Sequence, residues 1–146
     1  METVVFDMAA LRAWLNALIA AEGMKPVFGL LFCGDRLSCC DEAVGLKDGD
    51  VAIGVATIAP DGEMGSGQPT VVALYLCKPY RGQHHSAALM KAAIDRCRQR
   101  GLVPVRVDAM STPALRTCAA LPPAYKADIT LHDMTCGGML DGMLLA

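Results

Sequence analysis

The residues with chemistry to offer gather in one short stretch, KPYRGQHHSA, residues 78 to 87. An apolar run precedes it and an apolar-periodic run follows. That is how a strand hands over to a helix through a turn able to hold phosphate. The first N–H groups of a helix carry partial positive charge and point outwards together. Glycine suits such a turn because nothing projects from its Cα to hold an anion off. Here Arg81 brings a cation and Gly82 a glycine, but His84, His85 and Ser86 stand where more small residues are wanted. Two readings are open for the histidines. They add positive charge towards an anion at acid pH, or they are solvated residues at a helix start. The other reactive residues are seven cysteines, at 33, 39, 40, 77, 97, 118 and 136. Their odd number and unpaired spacing argue against a disulfide framework. CGDRLSCC has no C-x-x-C pair and no nearby histidine, so no zinc site is predicted.

The elements that must position the turn follow from hydrophobic periodicity. Residues 7 to 22 form a predicted helix with Asp7 as N-cap, Gly23 as stop, and an apolar stripe that includes Trp14 as a core anchor. PVFGLLF, residues 26 to 32, reads equally as strand or buried helix, and CGDRLSCCDE as a loop or edge segment. Asp48-Gly49 marks a hairpin, followed by a strand, Val51 to Ala59, whose small residues Ala52, Gly54 and Ala56 let another element approach closely. Residues 70 to 77, TVVALYLC, are apolar on both faces, as a central strand requires. Residues 86 to 100 form a helix with Leu89, Met90, Ala93, Ile94 and Cys97 on one stripe, a Lys91–Asp95 pair on the other side and Gly101 as its stop. A strand at 103 to 108 follows, parallel to 70 to 77 because a helical crossover joins them. Then come a short helix capped by Ser111 or Thr112 and ended by Pro122-Pro123, and a last strand, YKADITLHDM. The apolar tail, TCGGMLDGMLLA, is either frayed or a packing surface for a second copy.

With 146 residues, the chain is expected to form one α/β domain, spanning 1–146, with a mixed, partly antiparallel sheet and helices on both faces. The formal charge of −2 excludes a general nucleic-acid binder, although six basic residues from Lys78 to Arg100 leave a local patch open. No stretch is apolar enough to span a bilayer, and the first residues do not resemble a signal peptide, so a cytoplasmic protein without membrane attachment is expected.

VVALYLCKPYRGQHHSAALMKAAIDRCRQRG resembles the coenzyme-A-binding segment of the GNAT superfamily of N-acetyltransferases. In that family an apolar strand leads into R/Q-x-x-G-x-G/A and then a helix. Arg81, Gly82, Gln83, His84, His85 and Ser86 occupy those positions, and the resemblance extends over roughly residues 43 to 133. It implies a GNAT-like mixed sheet and acetyl-CoA as co-substrate. It places the pyrophosphate on Arg81 and the N–H groups of Gln83 to Ser86, and the pantetheine arm on the backbone at Leu74 and Leu76. The sequence departs from the family at His84, where a glycine is usual. The added Cβ and ring are expected to obstruct the turn, so that His84→Gly would tighten coenzyme A binding.

The resemblance implies an acceptor that is a small-molecule or protein amine. Transfer to it needs a base for the amine and an acid for the leaving thiolate. The family's base is often a glutamate near the central strands. None occurs from Val71 to Cys77, and Asp50, Glu63 and Asp108 are the nearby candidates, Asp108 among the predicted catalytic residues. The family's acid is commonly a tyrosine on the helix after the next strand. Cys118 aligns there, and Tyr125 substitutes if the chain bends back past Pro122-Pro123. With a glycine, an acid and a tyrosine all displaced, a second expectation stands beside the enzyme: an inactive module of this fold binding a coenzyme-A-like ligand or a protein.

Overall fold

A computed structural model describes residues 1–22 and 34–135. The candidate segment 26–32, the helix stop at Gly23 and the tail from residue 136 lie outside them. A six-stranded sheet has its strands in chain order: β1 (Glu2–Asp7), β2 (Glu42–Asp48), β3 (Val51–Ala59), β4 (Thr70–Leu76), β5 (Val105–Ala109) and β6 (Ile129–Asp133). β1 to β4 are antiparallel neighbours, whereas β4–β5 and β5–β6 are parallel. The fold is the expected mixed α/β one, and 70–76 runs parallel to 105–109.

The first strand is an addition to the sequence reading. β1 ends at Asp7, which then caps the helix α1 (Met8–Glu22) by accepting from the Ala10 N–H at 3.1 Å. α1 lies on one face of the sheet, where Leu11 and Leu18 are buried with Ala43, Val55 and Tyr75. Trp14 anchors it by donating from Nε1 to the Gly54 carbonyl at 2.9 Å. Opposite the ring is Gly45, where a Cβ would lie 2.4 Å from Trp14 Cζ2 and 2.9 Å from Phe6 Cε1. The residues read as a loop hold a single helical turn, α2 (Gly34–Leu37).

The other face carries α3 (His85–Gln99), whose five predicted stripe residues are all buried. Leu89 and Ile94 are fully enclosed, and each contributes on the order of 2 kcal/mol of burial. The small positions of β3 admit this helix: a Cβ on Gly54 would stand 3.2 Å from Leu89 Cδ2. Gly49 opens the two-residue hairpin with φ +60°, and Gly101 ends α3 with φ +70°. The predicted Lys91–Asp95 pair gives way to other partners. Asp95 Oδ1 meets Arg98 Nη1 at 3.2 Å, and its Oδ2 accepts from the Tyr125 hydroxyl at 3.2 Å.

Three of the six cations of the basic patch are held in ion pairs. Arg96 contacts Glu42 at 2.7 Å, Arg100 contacts Asp41 at 2.6 Å, and Arg98 contacts Asp128 at 2.5 Å. These cations pin the end of α3 to the start of β2 and to the residue before β6.

Cys40, Cys77, Cys97 and Cys118 are core residues. Burial pushes the Cys97 and Cys118 thiols up from 9.0 to about 11 and Cys40 to about 12. Below pH 9 these thiols are protonated in folded and unfolded chain alike, and their contribution to stability is constant. Between pH 9 and about 11 the unfolded chain ionises first, so stability falls as pH rises. The urea midpoint should therefore drop steadily across that window, and less steeply in Cys118→Ala. A flat profile would mean the thiols reach water.

Candidate active site

β4 pairs with β5 at only two positions, Thr70↔Arg106 and Val71↔Val107. The cause lies on the other edge of β4. Against β3, Thr57 pairs with Ala73 and Ile58 with Val71, so Val72 is an extra residue in a bulge. A bulge bends its strand and breaks the ladder. β5 stays with β6 to Asp133, while Val72–Leu76 stay with β3. Between them a V-shaped gap opens, with its vertex at Val71 and Val107.

The backbone of β4 facing this gap is partly occupied. The Val72 carbonyl accepts from Arg36 Nη2, and the Leu76 carbonyl accepts from Arg81 Nε at 2.8 Å. The Cys77 N–H turns the other way, to the Ile53 carbonyl at 2.8 Å. With a strand's period of two, Leu74 shares the edge of Val72 and Leu76. Its polar backbone lies between the two arginines. Arg81 thus folds back along β4, its guanidinium 5.3 Å from the Tyr75 ring centre, instead of pointing at the helix start.

The turn beyond β4 passes through a single 3-10 turn, Lys78–Tyr80, then Gly82 with φ +77° and His84 with φ +65°. His84 is the residue before α3 and is left-handed, with no capping bond from its side chain. It therefore adopts the backbone that glycine adopts at this point. With Ala87, Ala88 and Lys91 it lines a shallow groove along α3. Beside the expected obstruction stands a second reading, in which the departure from glycine costs backbone strain, of about 1 kcal/mol, and not anion access. His84→Gly should raise the melting temperature by roughly 2–4 °C, less whatever the extra freedom of glycine takes back. Coenzyme A affinity should change less than about twofold, because the strain is the same with and without ligand. Calorimetry and titration of the variant at pH 5.5 and pH 8 check both. A loss of affinity confined to pH 5.5 would restore the imidazolium contact.

The other turn residues have their own partners. Gln83 Nε2 donates to the Pro79 carbonyl at 3.1 Å, the Ser86 hydroxyl lies 3.1 Å from Thr117 Oγ1, and the His85 ring centre is 6.0 Å from that of Tyr80. The backbone N–H groups of His85, Ser86 and Ala87 open α3 and have no partner within the helix's own ladder.

The three predicted catalytic residues separate. Asp108 is the first residue of β5 past the vertex, and its Oδ1 accepts from Arg106 Nε at 2.8 Å. It is half-buried and alternates with Val107 and Ala109, so it projects on the α1 side of the sheet. Cys118 sits in α4 (Thr112–Ala119), which Ser111 caps by accepting from Ala114 N–H at 3.2 Å. It is 1 % exposed and packs in the core with residues of α3 and of β4 and β5. The prolines after α4 start a further turn of helix, α5 (Pro123–Lys126). Tyr125 in α5 does not bend back. Its hydroxyl is held by Asp95, ten residues into α3 and about 15 Å from the helix start. Arg98 lies 4.2 Å from its ring centre. Burial first, and Asp95 second, push the Tyr125 pKa up. Arg36 was missed, because one helical turn among cysteines gives no periodic signal. Among the described residues no group of three His, Cys, Asp or Glu could hold a metal, and no helix is long and apolar enough to cross a membrane.

A parted parallel pair that leads through a left-handed turn into a helix start is a property of whole domains, and the comparisons identify which. The profile of the acetyltransferase (GNAT) family matches residues 10–119. The chain belongs to that family. The chain is similar to three solved structures, and with the first it shares the fold. The ribosomal-protein-S18-alanine N-acetyltransferase of Escherichia coli superposes with a TM-score of 0.52 at 14% identity, over 82% of this chain and 76% of that one. A provisionally described N-acetyltransferase of Lactobacillus plantarum gives 0.49 at 21% identity, over 70% of each chain. A GCN5-related N-acetyltransferase of Ralstonia eutropha JMP134 gives 0.46 at 14% identity, over 98% and 90%. No curated protein matches the sequence. At these identities the likeness of this GNAT chain to solved structures concerns fold, so its reaction is argued from its own residues.

Proposed function

We propose that this GNAT protein transfers an acetyl group from acetyl-CoA to an amine. The gap between β4 and β5 carries the reading. It ends at the start of α3, whose unpaired N–H groups and partial positive charge suit a pyrophosphate. Arg81 lies back on the Leu76 carbonyl, so the pyrophosphate falls to the N–H groups, and Leu74 offers backbone to an amide-bearing arm. An arm lying along β4 brings its thioester to the vertex, beside Asp108.

The chemistry needed there is modest. The amine nitrogen forms a bond to the thioester carbon, the carbon–sulfur bond breaks, and the amine's proton must leave. Asp108 is the carboxylate placed to take that proton, directly or through one water. Arg106 keeps it oriented. The sulfur leaves as thiolate and takes its proton from solvent or from Cys118, Tyr125 being held by Asp95.

The buried Cys118 and the tethered Tyr125 favour a second reading, a module that binds coenzyme A without turnover. Titration with acetyl-CoA, followed by thiol release with a panel of primary amines, separates them. Binding with turnover is expected. Binding without turnover on any amine would leave the module, and no binding would sink both.

A further inference from the structure

We infer that Arg36 is a positioning residue that keeps the gap between β4 and β5 open before any ligand arrives. The inference rests on reading this gap as the acyl-donor site. In a regular parallel pair the carbonyls along the edge of β4 would be taken by N–H groups of β5. The bulge at Val72 interrupts that pairing, and the first carbonyl it releases is the one Arg36 takes. A side chain from α2 thus occupies the place of a strand.

Stability alone does not account for an arginine here. Its Nε is buried without a hydrogen-bond partner, and Glu63 Oε1 is 3.9 Å from Nη2, at the edge of ion-pair range. Its side chain is only 20% exposed. Leaving a buried cationic N–H unmatched costs free energy. The carbonyl could be satisfied at less cost by β5 itself, if the strands zipped one or two residues further. That zipping would close over Leu74. The guanidinium blocks it by holding the carbonyl at the vertex, and its planar, branched end fills the space β5 would enter.

The consequence is an equilibrium between open and zipped gaps, biased open by Arg36. Without it, a gap open one time in ten would weaken apparent affinity about tenfold with every ligand contact intact. Arg36→Met removes the donor and also the unmatched charge, while keeping much of the volume. Arg36→Lys keeps one donor of similar reach. The expected result has three parts. The Met variant binds coenzyme A about tenfold more weakly, the Lys variant within about threefold of wild type, and the Met variant melts within roughly 4 °C of wild type. In ligand-free protein, hydrogen exchange at the Leu74 amide, which faces the gap, should slow in the Met variant as β5 closes on it. A merely structural role would lower the melting temperature and speed that exchange.

If the Met variant does not fold, Arg36→Gln, too short to reach Val72, gives the same two readings. An unchanged dissociation constant or an unslowed Leu74 amide overturns the inference. If wild type binds no coenzyme A, the proposed function fails by itself, and the exchange rate alone judges Arg36.

Discussion

Asp108→Asn should lower kcat by about a hundredfold to a thousandfold and leave the acetyl-CoA dissociation constant unchanged. The amide keeps the shape and can still accept from Arg106, but it cannot take a proton. Asp108 stands just past the last β4–β5 pair, on the α1 side, and touches none of the backbone that would hold the donor. Loss of a base therefore shows in the chemical step and not in binding. Initial rates of thiol release and calorimetric titration measure the two quantities separately. Full activity in the variant would remove Asp108 from the mechanism. A parallel loss of affinity would mean that the Arg106–Asp108 pair shapes the gap instead.

The second large effect is structural. Gly45→Ala should cost about 2–3 kcal/mol and lower the melting temperature by roughly 5–10 °C. The new Cβ would meet Trp14 Cε2 at 2.6 Å as well as Cζ2 and Phe6. Overpacking is cheap where the neighbour is the free end of a flexible chain. Here it is a rigid ring tied by Nε1 to the Gly54 carbonyl. Moving the ring breaks that bond, and leaving it in place forces β2 from its register between β1 and β3. Differential scanning calorimetry reads the result. A shift under about 2 °C would mean that α1 rides on the sheet more loosely than its buried Leu11 and Leu18 imply.

Most of the fold was legible because it rests on local signals. Gly49 announced the hairpin, the stripe from Leu89 to Cys97 announced α3, and Gly101 its end. The crossover through α3 required β4 and β5 to be parallel. β1 was not legible. Its six residues carry an acid at each end, and Val5 faces solvent at 47% exposure, as an edge strand allows. The last strand was overdrawn because Pro123–Lys126 is a turn of helix that prolines start rather than forbid.

The site was legible in part, for a physical reason that differs from residue to residue. Arg81 was placed near the gap by motif, but no motif says which way a long side chain folds. His84 raised a question of bulk in the sequence, to which the structure adds one of dihedral angle: sequence shows a missing glycine but not the left-handed backbone at His84. Tyr125 was judged by its distance along the chain, whereas its position is decided by Asp95 and Arg98, residues on another helix. Arg36 and the bulge at Val72 are tertiary facts. A bulge exists only relative to its partner strand, and nothing in VVALYL marks the extra residue.

The in-line order of the strands makes the gap a seam in the chain as well as in the sheet. Among the described residues, β1 to β4 lie on one side and β5 and β6 on the other, joined across the sheet by two residue pairs and on one face by α3. The antiparallel part can assemble from neighbouring segments alone, which favours its early formation during folding. The β5–α4–α5–β6 segment must then dock as a unit against α3, through contacts that include Val105, Val107, Cys118 and Leu121. A ligand bridging the seam would connect the early-folding and late-folding portions. Its binding would slow unfolding chiefly by delaying the departure of the later one.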